Sequence, residues 1–539
     1  MRVVIIGGVA GGASAATRLR RNLEDAEIIL VERGPEVSFA NCGLPYYLGG
    51  VIQERSKLLV TSADNLRKRF RLDVRTQTVA ESIDPERQEV ALRQLSEDKL
   101  TLVRYDALIL ATGAAPIRPP LHGLELPGVF QLRNLEDTDR IHSFAAQARH
   151  ATVVGAGFIG LEMVENLRHR GLEVSLVELS PQLLPPFDQE MTRPLEAVLR
   201  QHQVDLHLGD SLTSIEPGLK VSLQSGLSWQ TDMVLLGVGV RPENALAVQA
   251  GLHLGARGGI KVDASMRTSN PHIYAVGDVV EVTDFVTGQA TQVPLAGPAN
   301  RQGRLAADAI AGREVAYRGT QGTAVVAVFD RTAACTGASE KWLKSRQIEH
   351  RKVYIHPNDH AGYYPGAESM TLKLLYASDT GRVLGAQAVG GKGVDKRIDV
   401  LAVAIQAGMS VFDLEQTELC YAPPYGSAKD PVNMAAFVAA NQLRGQHPQV
   451  SVEELGADDT LIDVRSLEEH QRGHIPGSLH IPVDELRSRL NELPGGRPLT
   501  VYCQVGLRGY LATRILMQKG FSVRNLSGGY LTYRMYRPD

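Results

Sequence analysis

Along the first 33 residues the apolar positions run together, break at glycines, and then recur at helical spacing. Residues 2 to 33 read as a buried strand, a glycine turn and a helix in RVVIIGGVAGGASAATRLRR, followed by a second strand in AEIILVERG. The same order returns at 151 in ATVVGAGFIGLEMVENLRHRGLEVSLVELS, so two separate βαβ units are predicted. Between 320 and 440 the strand-like segments GTAVVAVFD and SMTLKLLYA precede the helical ones DKRIDVLAVAIQAGM and PVNMAAFVAANQLRG, the pattern of an α+β domain. Residues 443–452, LRGQHPQVSV, have little periodicity and read as a linker. Beyond them strands and helices alternate again within the size of one small α/β domain.

Composition narrows the partners. A chain of 539 residues with 43% hydrophobic content has room for three or four ordinary cores. Its formal charge of -3 and lack of long basic runs argue against nucleic acid and leave small molecules as the expected ligands. The N-terminal apolar run is too short for a signal peptide, and nothing approaches a membrane-spanning length. Cys42, Cys335, Cys420 and Cys503 lie far apart, which suggests neither a disulfide framework nor a metal knuckle; free thiols in a reducing cytoplasm are expected, and no metal site.

Both βαβ units carry the residues a dinucleotide needs. Glycines allow the tight turn and let a pyrophosphate approach amides at the helix N-terminus, while an acid ending the next strand binds ribose hydroxyls. Gly155, Gly157, Gly160 and Glu178 meet this in full, and the acid favours NADH over NADPH. The first unit keeps Gly7, Gly12 and Glu32 but has Val9 in the middle position.

LILATGAAP, with Thr112 and Gly113, and IYAVGDVVEV, with Asp278, resemble the segments that flank FAD in two-dinucleotide flavin disulfide reductases. The resemblance covers about residues 1 to 440 and implies that Asp278 binds the ribityl chain.

One cysteine, Cys42, lies in SFANCGLPYYLGG. The best-known reductases of this superfamily have a second cysteine five positions on, where this chain has Tyr47. An oxidised Cys42 must find its partner elsewhere, in a mixed disulfide or persulfide with a substrate sulfur or in a sulfenic acid. The stretch resembles the coenzyme A disulfide reductase and NADH-dependent persulfide reductase family, in which reduced flavin serves a single cysteine that holds coenzyme A as a mixed disulfide. Helix dipoles and charge transfer to the flavin are expected to stabilise its thiolate.

That resemblance implies further residues. The phosphates of coenzyme A need cations, for which Arg18, Arg20 and Arg21 and then Arg67, Lys68, Arg69 and Arg71 are candidates, most of them expected to be solvated surface charges. The family also brings tyrosines of a dimer partner to the cysteine; Tyr363 and Tyr364, and Tyr421 and Tyr425, are the candidates, with core packing expected for at least two. A homodimer is implied. Cys335 and Cys420 are expected to be structural.

At the C-terminus VYCQVGLRGYLA ends a strand at Cys503 and turns into a helix, so that loop amides converge on the sulfur and favour its thiolate. With LIDVRSLEEHQRGHIPGSLHIP this resembles a rhodanese domain, a sulfane-sulfur transferase. Four residues separate Cys503 from Arg508, a loop of a size to hold a sulfur atom on the cysteine, with Arg508 shaping the loop or attracting an anionic donor. Asp463, Arg465, Glu469 and His474 are expected to be hydrogen-bonded scaffolding.

The reading is therefore an α/β chain. Its parts are an FAD-binding domain (1–110 and 266–319, with 111–150 connecting), an NAD(P)H-binding domain (151–265), an α+β dimerisation domain (320–442), the linker (443–452) and a rhodanese-like α/β domain (453–539). The expected activity is NADH-driven reduction of persulfides, polysulfides and coenzyme A disulfide or persulfide through Cys42, with Cys503 as sulfur carrier. The alternative is an NADH oxidase or peroxidase working through a Cys42 sulfenate, in which the C-terminal module would have no evident purpose. A flavin-binding redox sensor without turnover is a third reading.

Overall fold

In a computed structural model that describes residues 1–456, 458–494 and 496–537, the chain divides into two compact units. Met1–Pro181 and His202–Gly322 form one, Gln182–Gln201 and Thr323–Asp539 the other. Among the described residues no helix is long and apolar enough to cross a membrane.

The first unit contains two five-stranded parallel sheets. In the first, Arg2–Ile6 lies between Ala107–Leu110 and Glu27–Val31, with Ile273–Ala275 and Asp73–Arg75 at the edges. Its Val and Ile runs are almost wholly buried, as strands covered on both faces require. Ile273 pairs with Leu108, so the two segments expected to flank a cofactor enter the same end of one sheet as neighbours. In the second sheet His150–Val154 lies between Glu173–Glu178 and Met233–Leu236. Val204–Leu208 and Val129–Phe130 are its edges, the latter drawn from the connecting stretch.

The second unit is built on an antiparallel five-stranded sheet in the order Ala324–Val328, Arg331–Gly337, Val383–Gly390, Met370–Ala377, His350–Ile355. The C-terminal module of the same unit has a parallel sheet: Gln449–Val450, Val523–Leu526, Leu499–Tyr502, Thr460–Asp463, Leu479–His480.

Two boundaries differ from the sequence reading. Gln449–Val450, inside the expected linker, pairs with Asn525 and Leu526, so much of that segment belongs to the C-terminal sheet. Gln182–Gln201, inside the expected second nucleotide-binding domain, groups with the second unit. The cause of the latter is a buried charge cluster. Lys373, fully buried in its strand, donates to Asp188 at 2.9 Å, Glu190 at 2.5 Å and Glu340 at 2.6 Å. Burial opposes the ammonium charge, but the three carboxylates overcome it and raise the Lys373 pKa well above its usual value. These carboxylates stand close enough to one another to hold a metal ion, and the ammonium occupies that place.

The same cluster continues into the C-terminal module. The Tyr354 hydroxyl reaches Glu190 and the Tyr536 hydroxyl, each at 2.8 Å, and Lys352 joins Glu340 to Glu453. Beside it His356 bridges Thr371 of the antiparallel sheet and Thr532 of the C-terminal helix Gly529–Tyr536.

Candidate active site

The two glycine turns are built alike. Gly7 and Gly155 have φ of 105° and 104°, and a side chain on either would strike the carbonyl oxygen of Ala111 or Gly237 on the neighbouring strand. A side chain on Gly12 or Gly160 would in turn strike the oxygen of Gly7 or Gly155. The middle position is different. Val9 and Gly157 are helix N-caps with negative φ, a conformation open to any residue, which is why Val9 does not disturb the first turn.

The acids also correspond. Glu32 accepts from the amides of Gly8 and Gly34, both at 2.8 Å; Glu178 accepts from those of Ala156 at 2.6 Å and Ser180 at 2.8 Å. Each carboxylate is thereby held beside its turn. Thr112 donates to the Glu243 carbonyl at 2.8 Å, and Gly113 takes a positive φ just before the short strand Ala114–Pro116. Asp278 is half-buried, burial raises its pKa, and among the described residues no group donates to its carboxylate. A half-buried acceptor at the strand end shared by both flanking segments, with no donor among the described residues, fits a ligand bearing hydroxyls, as the ribityl chain of FAD does.

Cys42 lies in the 3-10 turn Asn41–Gly43, just ahead of the short helix Leu44–Leu48. That helix packs on Phe158–His169, the helix that follows the second glycine turn. Gly49 permits the approach, because a side chain there would collide with Asn166, and Arg170 fixes it with a 3.0 Å bond to the Leu48 carbonyl. The contact brings Glu162 to the cysteine. Although Cys42 is exposed, burial of its inner side, then the carboxylates of Glu162 and Asp278, push its thiol up. The helix beside Cys42, of five residues, supplies little dipole to offset this.

Glu162 itself is pushed up to about 7 by burial, against the 3.5 Å contact from the Tyr46 hydroxyl. Tyr46 is raised to about 12, again mainly by burial. Neither residue was singled out from sequence, since only the packing of two distant helices joins them to Cys42. The available signal was a carboxylate two residues beyond Gly160, set between the apolar Leu161 and Met163.

Among the proposed coenzyme A cations, Arg18 is spent on Asp308 in a half-buried bidentate pair of 2.7 and 3.1 Å. Arg20 is buried on the carbonyls of Leu23, Glu24, Phe70 and Arg71. Arg67 bonds Asp64 and the Val74 carbonyl, and Arg71 bonds Glu24. Arg21, Lys68 and Arg69 are exposed.

In the second unit the structure joins Tyr363 to Tyr421 through a 2.7 Å hydroxyl contact, with both rings exposed. Tyr364 packs edge-on to His360, and Tyr425 is exposed. None of the four is core. Cys335 is buried, and burial pushes its thiol up to about 12. Cys420, expected to be structural, is exposed beside Tyr421, because its segment between two helices has no regular structure to bury it.

Cys503 ends the strand Leu499–Tyr502 and is 1% exposed. The Gly506 amide donates to its sulfur at 3.1 Å. Gly528 and Gly529, both at positive φ, let the chain pass against this loop, since a side chain on Gly529 would strike the Cys503 carbonyl. Arg508 binds Glu469 through two bonds of 2.7 and 2.6 Å and also lies against the Cys503 sulfur. That pairing holds the Glu469 carboxyl down at about 2. Underneath, Asp463 receives Arg465 and His470, and Arg465 donates onward to Gln504 in the loop. His474 stacks on His470 at 3.9 Å.

Comparison with known proteins agrees with this geometry. Residues 1–303 match the family described as pyridine nucleotide-disulphide oxidoreductase, and residues 323–430 its dimerisation domain. The chain belongs to that family. Residues 448–535 match the rhodanese-like domain, so this oxidoreductase carries a sulfurtransferase-type module.

The coenzyme A disulfide reductase of Staphylococcus haemolyticus is 35% identical over 441 residues, 81% of this chain and 99% of that protein. An NADH oxidase of Methanocaldococcus jannaschii is 34% identical over 448 residues, 82% of this chain and 99% of the other. Two solved structures span the chain from end to end. Reduced Bacillus anthracis CoADR-RHD is 49% identical with a TM-score of 0.98, covering 100% of this chain and 98% of that one. A NAD-dependent persulfide reductase from A. fulgidus is 40% identical with a TM-score of 0.93, covering 99% and 100%.

Proposed function

We propose that the chain is an FAD-dependent NAD(P)H reductase of persulfides and polysulfides, and of coenzyme A disulfide or persulfide. Cys42 is its single redox thiol and Cys503 its sulfur carrier. The observation that carries this reading is the presence, in one chain, of a lone cysteine beside Asp278 and Glu162 and of a second cysteine in an intact rhodanese-like loop. The likeness to a persulfide reductase over 99% of the chain supports it.

FAD, when bound, supplies a two-electron path from NADH to the Cys42 sulfur. Cys42 attacks the inner sulfur of a coenzyme A persulfide; a Cys42–coenzyme A disulfide forms as the bond to the departing hydrosulfide breaks. Two electrons from NADH then return Cys42 and coenzyme A to thiolates. Glu162, titrating near neutrality, holds the proton that an attacking or leaving sulfur exchanges. Glu178 favours NADH by repelling a 2′-phosphate. We place the enzyme in the cytoplasm as a homodimer, with the exposed Tyr363–Tyr421 pair serving the Cys42 of a partner chain.

NADH consumption tests this with coenzyme A persulfide, coenzyme A disulfide and peroxide, in wild type and Cys42→Ser. The first two substrates should support turnover and the serine variant should lose it. Faster NADH consumption in air alone, to which the likeness to an NADH oxidase points, or with peroxide would replace this reading with the sulfenate one.

A further inference from the structure

Arg508 is the cation that closes the Cys503 loop, and two of its N–H groups are committed to Glu469. Its charge also acts on the nearby Cys503 sulfur. To an arriving anion the Arg508–Glu469 pair is close to neutral. The surroundings are apolar: Val505 and Leu507 belong to the loop itself, and Leu507 is 65% exposed. Leu511 lies one helical turn beyond Leu507, and Leu531, whose amide bonds the Gln504 carbonyl, is also partly exposed.

Donors of sulfane sulfur differ in the charge they bring to such a mouth. Cys503 thiolate attacking thiosulfate forms the Cys503–sulfur bond as the sulfur–sulfonate bond breaks, and it releases sulfite with two negative charges. Cys503 attacking the outer sulfur of a persulfide breaks the bond to the inner sulfur and releases a thiolate with one. A dianion needs an unpaired cation, whereas an uncharged carbon arm gains from apolar surface.

Resting on the sulfur-carrier reading above, we propose that the Cys503 site is selective for persulfides with uncharged arms next to the sulfur, and that Glu469 excludes thiosulfate by masking Arg508. Glu469→Gln should unmask the cation while preserving the helix cap, because glutamine accepts the same bond from Ser466.

The test loads full-length enzyme with no pyridine nucleotide added, using N-acetylcysteamine persulfide or thiosulfate, and follows the gain of one sulfur atom on Cys503 by mass spectrometry. Wild type should load about tenfold faster from the persulfide, and Glu469→Gln should raise loading from thiosulfate by about the same factor. Leu507→Lys, which adds a cation at an exposed position, should raise it as well. Equal wild-type rates, or no gain from thiosulfate in either variant, would overturn the selectivity while leaving Cys503 a carrier. Loading from neither donor would overturn the selectivity and the carrier reading together.

Discussion

The hydroxyl of Tyr354 lies 2.8 Å from that of Tyr536, and the two rings meet edge to face with centroids 6.3 Å apart. Tyr354 belongs to the antiparallel sheet and Tyr536 to the last helix of the rhodanese-like module, so this contact and the Lys373 cluster behind it join the two within one compact unit. Tyr536→Phe removes the hydroxyl's bonds to Tyr354 and Lys352 and should cost about 1–2 kcal/mol. Lys373→Met leaves the buried carboxylates of Asp188 and Glu190 without their cation, while Glu340 keeps Lys352 and Lys344, and should cost about 3–5 kcal/mol. Thermal or denaturant unfolding followed by near-ultraviolet circular dichroism measures both.

A pH dependence follows from His356. Burial lowers its pKa from the ordinary 6.5 to about 4, and both ring nitrogens already have threonine hydroxyl partners. Between these values the unfolded chain binds a proton that the folded chain does not, so stability falls as pH falls, beginning near 6.5 and ending near 4. The loss should be about 3 kcal/mol. Burial puts His447 at about 4 as well, and it adds a loss over the same window. Asp188 and Glu340, whose pKa values Lys373 depresses against burial, lose their contribution only in stronger acid. Glu162, whose raised pKa adds stability as pH falls below about 7, opposes this trend, so the check is the difference between proteins: from pH 7 to 4 the denaturant midpoint of His356→Gln should fall less, or rise more, than that of wild type.

Glu162 raises the Cys42 thiol pKa through its charge, after burial has done so. Glu162→Gln should therefore move the alkylation of Cys42 by iodoacetamide to lower pH. An unchanged profile would mean that Glu162 does not sense the cysteine.

The fold was largely legible because its cues are local. A run of β-branched residues, a glycine turn and an alanine-rich helix specify a βαβ unit without help from elsewhere, and the pairs Gly7 with Gly155 and Glu32 with Glu178 stand in matching geometry. What stayed hidden depends on distant packing. Glu162 meets Cys42 only because Gly49 lets two helices close on each other, and Lys373, inside an apolar strand, gave no hint of its three acids. Arg18 stood among the cationic candidates, yet Asp308, on a helix far along the chain, takes its charge. Positive residues near a phosphate-binding motif cannot be divided into free and engaged until their acids are located.

The central claim is that Cys42 takes its disulfide partner from a small molecule. The most direct measurement is the mass of denatured, fully oxidised enzyme after incubation with coenzyme A disulfide, with peptide mapping before and after NADH. The account predicts one coenzyme A joined to Cys42 and its release on reduction. Coenzyme A bound elsewhere, or a Cys42 that remains an unmodified thiol while NADH is consumed, would contradict it.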